Sequence, residues 1–266
     1  MLPDFLDALV RPAAYRRFAA ESPARSARYV AFLSLILLAA FGTAVKLRLV
    51  PVVDRTFAWL ETSMPVLTFS DGGVTSNLEG PTRIQHPTVK EIAVMIDTKR
   101  TDPVKVDELT KDKVIAYLTH DALYLQRGDQ IETIDLSKSA PERPVTLDAA
   151  TYKNMEQSFD WVVYPSLTLF FYLVFAVSLA FFGALYALAG MFYASLAGAR
   201  LGFAPLFRIA LHAQTAAALV RALDTVLPWP IPQSRLISLA LSLAYMWLAV
   251  GACAGAPPSP EPAAPP

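Results

Sequence analysis

Arg208, His212 and Thr215 follow one another at spacings of four and three, so on a helix they share a face, whereas Arg221 and Asp224 lie on roughly the opposite side. The residues around them, 203–227, are otherwise mostly apolar, and polar groups at membrane depth must face protein, water or headgroups. Two kinds of chemistry suit such a set. The five residues could hold a ligand, an ion or a lipid headgroup. Alternatively, Arg208 reaches inner-leaflet phosphates while Arg221 and Asp224, three apart, neutralise each other near the outer surface, which is a structural role.

Other chemistry finds little support. No phosphate-binding glycine loop, nucleophile elbow, zinc-binding helix motif or EF-hand loop occurs, so the chain is expected not to be an enzyme and to need neither cofactor nor metal. His86, His120 and His212 are far apart, and His120 with Asp121 reads as a hairpin turn rather than a ligand pair. The single cysteine, Cys253, excludes an intrachain disulfide and a multi-cysteine metal site. The formal net charge is zero and no extended basic surface suits a nucleic acid.

The elements that must position these residues begin with residues 161–199, which carry no charged side chain and are too long and apolar for a soluble core helix. Within them Ala176, Ala180, Gly183, Ala187, Gly190, Ala194 and Ala197 form a row of small residues along one helix face. In lipid, helices associate through close backbone approach, so this row is a candidate packing seam. As one helix the stretch would be about 58 Å long against a hydrocarbon core of about 30 Å, so it is either one tilted, projecting helix or two spans. The small-residue row keeps its phase through Gly183, the only possible turn in the middle, which favours one long helix.

Residues 1–28 read as a cytoplasmic amphipathic and basic segment, with Phe5, Leu6, Leu9 and Val10 apolar and Arg11, Arg16, Arg17, Arg25 and Arg28 suited to an anionic leaflet. Residues 29–50 form a first transmembrane helix. Gly42, Thr43 and Ala44 resemble a signal-peptidase site, but Lys46 and Arg48 resume a pattern that stays apolar through Val53, and an uncleaved anchor is expected. The preceding arginines place the N-terminus in the cytoplasm, which puts residues 51–160 outside it.

Those residues hold most of the chain's charge and read as a β-rich domain. A helix over 52–63 ends before Pro65; 65–69 and 74–78 flank the turn residues Asp71, Gly72 and Gly73 as a hairpin; 92–96 is a strand. Strands over 113–119 and 122–127, then a Gly128–Asp129 turn into Ile131, Thr133 and Ile134, suggest a small antiparallel meander. Short helices are expected over 107–112 and 147–160, the second leading into the long apolar stretch. Residues 203–227 form a polar third transmembrane helix, 236–252 a fourth, and the Pro-rich residues 253–266 a disordered tail.

The order of these parts, with Met64-Pro-Val-Leu-Thr-Phe-Ser-Asp-Gly-Gly-Val-Thr-Ser, Met95-Ile-Asp-Thr, Tyr117-Leu-Thr-His-Asp-Ala-Leu-Tyr and Leu201-Gly-Phe-Ala-Pro-Leu-Phe-Arg-Ile-Ala-Leu-His-Ala-Gln-Thr, resembles the bacterial membrane proteins of domain of unknown function 1189. The likeness runs to about Val250 and leaves out the tail. It implies several spans, an extracytoplasmic insert after the first, and a distant similarity to Yip1-like membrane proteins. It supplies no catalytic residues.

The expected fold is therefore an α+β membrane protein with about four transmembrane helices and an extracytoplasmic β-rich domain inserted after the first, in the bacterial cytoplasmic membrane. Besides the lipid bilayer, the expected partner is another membrane protein or a second copy of the chain, with no nucleic acid. The leading functional reading is a non-enzymatic envelope protein whose outer domain binds a partner or signal. The other is a small transporter or lipid-handling protein using Arg208, His212 and the Arg221/Asp224 pair, with a membrane hydrolase third because no nucleophile and base are visibly paired.

Overall fold

The computed structural model describes residues 1–70, 73–87, 89, 92–128, 130–136, 138 and 143–254. Asp71 and Gly72 of the expected hairpin turn, Asp129 of the next turn and residues 255–266 of the expected tail lie outside the described residues. Contacts divide the chain into two units: Met1–Leu49 together with the residues from Pro165 onward, and Val50–Tyr164.

In chain order the elements are α1 (Leu2–Val10), a single tight turn at Pro12–Ala14, α2 (Tyr15–Ala20), α3 (Pro23–Ala44), α4 (Val50–Ser63), β1 (Leu67–Ser70), β2 (Gly73–Ser76), β3 (Thr82–Gln85), β4 (Ala93–Ile96), α5 (Val106–Asp112), β5 (Ala116–Leu118), β6 (Ala122–Arg127), β7 (Gln130–Asp135), β8 (Val145–Leu147), α6 (Ala149–Ser158), α7 (Tyr164–Leu196), α8 (Phe203–Ala213), α9 (Thr215–Val226) and α10 (Ser234–Ala254).

Among the described residues four helical stretches are long and apolar enough to cross a bilayer: Pro23–Ser63, Ala149–Leu196, Phe203–Val226 and Ser234–Ala254. Leu173, Val177, Phe181, Leu188 and Phe192 of α7 and Leu236, Leu239 and Leu248 of α10 are exposed, an outer surface that only lipid solvates well. The chain is a multi-pass membrane protein. The helix that carries the first apolar stretch begins at Pro23, ahead of residue 29, because proline is tolerated in the first helical turn, and Arg25 and Arg28 occupy that helix's start. Residues 164–196 form a single helix, α7, about 50 Å long at the usual rise per residue. Gly183 does not break it, since within a helix supported by neighbours glycine costs only about 1 kcal/mol. The third stretch is interrupted once, at Gln214, between α8 and α9.

The other unit holds two sheets among its described residues. One has the order β2-β1-β8 and the other β3-β4-β5-β6-β7. The β1–β2 hairpin pairs Leu67 with Ser76 and Ser70 with Gly73. β5, β6 and β7 are the expected antiparallel meander, but β4 and β5 run parallel, Val94 opposite Ala116. The chain between these two returns through α5, so the parallel crossover supplies the cover that a hairpin would not. β3 and β8 were not expected; they are four and three residues long, too short to show a period of two clearly. α4 packs on the end of α6 through Phe57 and Phe159, ring centroids 5.4 Å apart, and Trp59 donates to the Gln85 carbonyl at 3.1 Å. Leu67, Val74, Ile84, Ile96 and Leu118 form a core shared by both sheets.

His120 joins the sheets rather than merely turning the chain. The Val74 N–H donates to the His120 carbonyl at 2.6 Å, and His120 Nδ1 lies 3.0 Å from the Val74 carbonyl. Gly73 makes this approach possible, with φ of +135° and a position where a Cβ would overlap the His120 carbonyl oxygen. Gly73→Ala should therefore destabilise the unit by about 2 kcal/mol or more, from backbone strain and the loss of these hydrogen bonds. Limited proteolysis of the full-length protein should show faster cleavage within residues 50–164; unchanged resistance would contradict this account of the junction.

Candidate functional site

The polar face of α8 is covered by the chain's own N-terminal segment. Leu206, Ile209, Ala210 and Ala213 put the apolar side of α8 into a core with Ala187, Ala194, Met246 and Ala249, while Tyr15 and Phe18 of α2 are buried in the same cluster. The chain turns at Glu21 and enters α3 through Pro23, bringing Glu21, Arg25, Ser26 and Tyr29 against His212.

His212 is fully buried, stacked on Phe18 with ring centroids 3.8 Å apart and planes 5° apart, and flanked by Tyr29 at 3.9 Å. Its Nε2 lies 2.9 Å from Glu21 Oε1, which also accepts from Ser26 Oγ at 2.6 Å, while Arg25 Nε stands 3.5 Å from Oε2. Burial alone would raise the Glu21 pKa, but the hydrogen bonds from His212 and Ser26, with the charges of His212 and Arg25, outweigh it and hold this carboxyl below its ordinary range. An ionised carboxylate only accepts, so Nε2 of His212 carries the hydrogen. Thr215 Oγ1 donates to the His212 carbonyl at 2.6 Å and so accepts from the Tyr29 hydroxyl, also at 2.6 Å. Arg208 Nη1 donates to the Ala19 carbonyl at 3.0 Å, closing the end of α2.

A second set of contacts fixes the rest of the segment. Asp4 is buried and takes Arg17 at 2.7 Å and Arg25 at 3.0 Å; burial opposes its ionisation, but Arg25 and Arg17 keep its pKa below the usual carboxylate value. Tyr245 of α10 donates to the Leu9 carbonyl at 2.8 Å, and Arg16 Nε to the Ala252 carbonyl at 2.7 Å. Residues 1–28 are thus folded onto the helices instead of lying free on a leaflet. The reason is that Asp4 and Asp7 neutralise Arg17 within the segment, while Glu21 finds His212, Arg208 finds the Ala19 carbonyl and Tyr245 the Leu9 carbonyl.

Thus Arg208, His212 and Thr215 come together, whereas Arg221 and Asp224 lie elsewhere. Asp224 accepts from the Ile231 N–H at 2.6 Å and Ser234 Oγ at 2.8 Å, closing the link into α10, and Arg221 lies over the Phe182 ring at 5.6 Å. Arg221 and Asp224 do not neutralise each other by direct contact among the described residues, because the backbone and hydroxyl donors at the start of α10 occupy the carboxylate. Along α7, Gly183, Ala187, Gly190 and Ala194 are buried and Ala176 and Ala180 half-buried, whereas Ala197 lies exposed in the turn after the helix and is not part of the seam. A Cβ on Gly183 would come within 2.7 Å of Leu211 Cδ2 and 3.3 Å of Gln214 Nε2, and one on Gly190 would overlap Met246 Cε. Side chains of α8 and α10 therefore pack against the middle of the small-residue row.

The family model described as protein of unknown function (DUF1189) matches residues 2–250. The chain belongs to this family. No curated protein and no solved structure matched it. The match includes the N-terminal segment and the polar helix, so the arrangement of Glu21 against His212 falls within the region that defines membership. The residues that sequence reasoning missed are Phe18, Glu21, Ser26 and Tyr29. The one available signal was three acids, Asp4, Asp7 and Glu21, set among the arginines of a segment otherwise suited to an anionic surface.

Proposed function

We propose that this membrane protein is non-enzymatic: it lies in the bacterial cytoplasmic membrane with its N-terminus inside, and its Val50–Tyr164 unit outside binds a partner. Its helices associate with a second membrane protein. The observation that supports this most is that Arg208, His212 and Thr215 are all engaged by residues 15–29, where a transporter would keep such groups open to a path. His212 and Thr215, fully buried and engaged in this way, serve to assemble the helices, while Arg208 and Ser26 also line a mostly apolar pocket of about 400 Å³; this leaves partner recognition to the other unit. There β7 pairs with β6 on one side and forms an edge of its sheet, with Ile134 exposed. An edge strand of this kind accepts an extended segment of another chain by adding a strand.

Two measurements test the reading. In a Cys253→Ala background, a membrane-impermeant maleimide should label Glu132→Cys in spheroplasts and Arg11→Cys only after lysis; both side chains are well exposed. The reverse pattern would sink the assigned topology. A photoreactive residue at Ile134 should yield one discrete crosslinked species in cells, and one at an exposed position of α7, such as Leu188, a different one. If Ile134 gives no crosslinked product while Leu188 does, recognition belongs to the helices and not to the β-rich unit.

A further inference from the structure

A cavity of about 650 Å³ lies between α3, α7, α9 and α10. Its walls are apolar along most of their height, with Leu37 from α3, Phe175 and Phe182 from α7 and Leu239 from α10. At one end, where α9 passes into α10, Arg221, Asp224 and Arg235 line it. Asp224 accepts from the Ile231 N–H and the Ser234 hydroxyl and its charge also attracts Arg235, but among the described residues it makes no direct ion pair with either arginine, so this end holds two positive charges against one negative. Among the described residues neither guanidinium has an acid within ion-pair distance; Arg221 rests on the Phe182 ring and Arg235 is exposed.

Two arginines against one carboxylate at the mouth of an apolar cavity leave an excess of positive charge, which matches a phosphate rather than a neutral group. The volume is in the range that holds a small amphiphile, and the apolar walls below the arginines suit a hydrocarbon chain. We propose that this cavity binds an anionic phospholipid of the adjacent leaflet, its phosphate on Arg221 and Arg235 and one acyl chain between α7 and α10. This site is separate from the Glu21–His212 cluster and does not depend on what the β-rich unit binds. The closed link at Asp224 gives the two arginines a fixed frame, since it ties the end of α9 to the first turn of α10.

The test uses the full-length protein in detergent, with native mass spectrometry and thermal denaturation read in parallel. Added phosphatidylglycerol should be retained and should raise the melting temperature, while phosphatidylcholine of the same chains should do neither. Arg221→Gln with Arg235→Gln should lower relative phosphatidylglycerol affinity about tenfold, with little loss of fold because neither side chain makes an ion pair. Ser178→Phe, which fills the α7 wall of the cavity, should block retention while both arginines remain. Equal retention of both lipids by the unaltered protein, or undiminished phosphatidylglycerol binding by either variant, would overturn the site. Stabilisation by inorganic phosphate equal to that by the lipid would overturn the lipid assignment and leave a simple anion site.

Discussion

Glu21→Ala should lower the stability of the helical unit by about 3 kcal/mol and free the N-terminal segment. Removing one partner of a buried, hydrogen-bonded pair leaves the other without compensation, a loss typically of about 3–5 kcal/mol, and the lower end applies where a serine and an arginine also adjoin. The substitution strands the His212 Nε2 hydrogen in a pocket walled by Phe18 and Tyr29 and removes the acceptor that Ser26 uses. Two readings of the same sample check it. The melting temperature in detergent should fall, and Cys253, half-buried near Arg16, should react faster with a thiol reagent as residues 1–20 lift away. His212→Ala should behave alike. If both variants melted with the native protein and Cys253 reacted no faster, the cluster would not be what holds the segment.

The same groups set a pH dependence. Glu21 and Asp4 have folded pKa values below those of the unfolded chain, so the unfolded state binds more protons in the interval between. Their contribution is present in full above about pH 5, where the unfolded carboxyls are also ionised, and is lost as the pH falls through the folded values. The native protein should therefore lose stability in acid more steeply than Glu21→Ala, which has already lost this contribution.

Gly190→Leu should cost about 2–3 kcal/mol by overpacking. The first added carbon already overlaps Met246 Cε, the movable end of a flexible side chain, and lies 3.3 Å from Leu206 Cδ2; the three further carbons of leucine must then be placed between Met246 and Leu206, both fully buried. Leu188→Phe, on the exposed side of the same helix, should be close to neutral because lipid accommodates the larger ring. Thermal denaturation of the two variants in one detergent compares them directly, and equal melting temperatures would show that α7 does not rely on close approach at Gly190.

Much of this architecture was legible locally. An uncharged run as long as residues 161–199 has no stable place in water, and alternation around Gly128 marks β6 and β7 whatever surrounds them. The row from Gly183 to Ala194 was also visible, because small residues at helical spacing are meaningful only where another helix approaches. The face shared by Arg208, His212 and Thr215 followed from helical geometry alone. What that face meets did not. His212 and Glu21 are 191 residues apart, and Arg208 and Ala19 are 189 apart. Spacing says which side chains leave a helix together, but not which distant segment fills the space in front of them.

By itself, then, the sequence determined the membrane class, the four apolar stretches and the presence of a β-rich insert, because burial in lipid or in a sheet imposes a period that every few residues must obey. Only the tertiary structure decided that residues 1–28 close over α8, that β4 and β5 run parallel, and that Asp224 ties α9 to α10 instead of pairing with Arg221. Each of those outcomes is a choice among partners of similar local chemistry. An acid such as Glu21 or Asp224 can satisfy its charge with any nearby donor, and which donor is near depends on how the helices pack, a property of the whole unit that no short stretch of sequence carries.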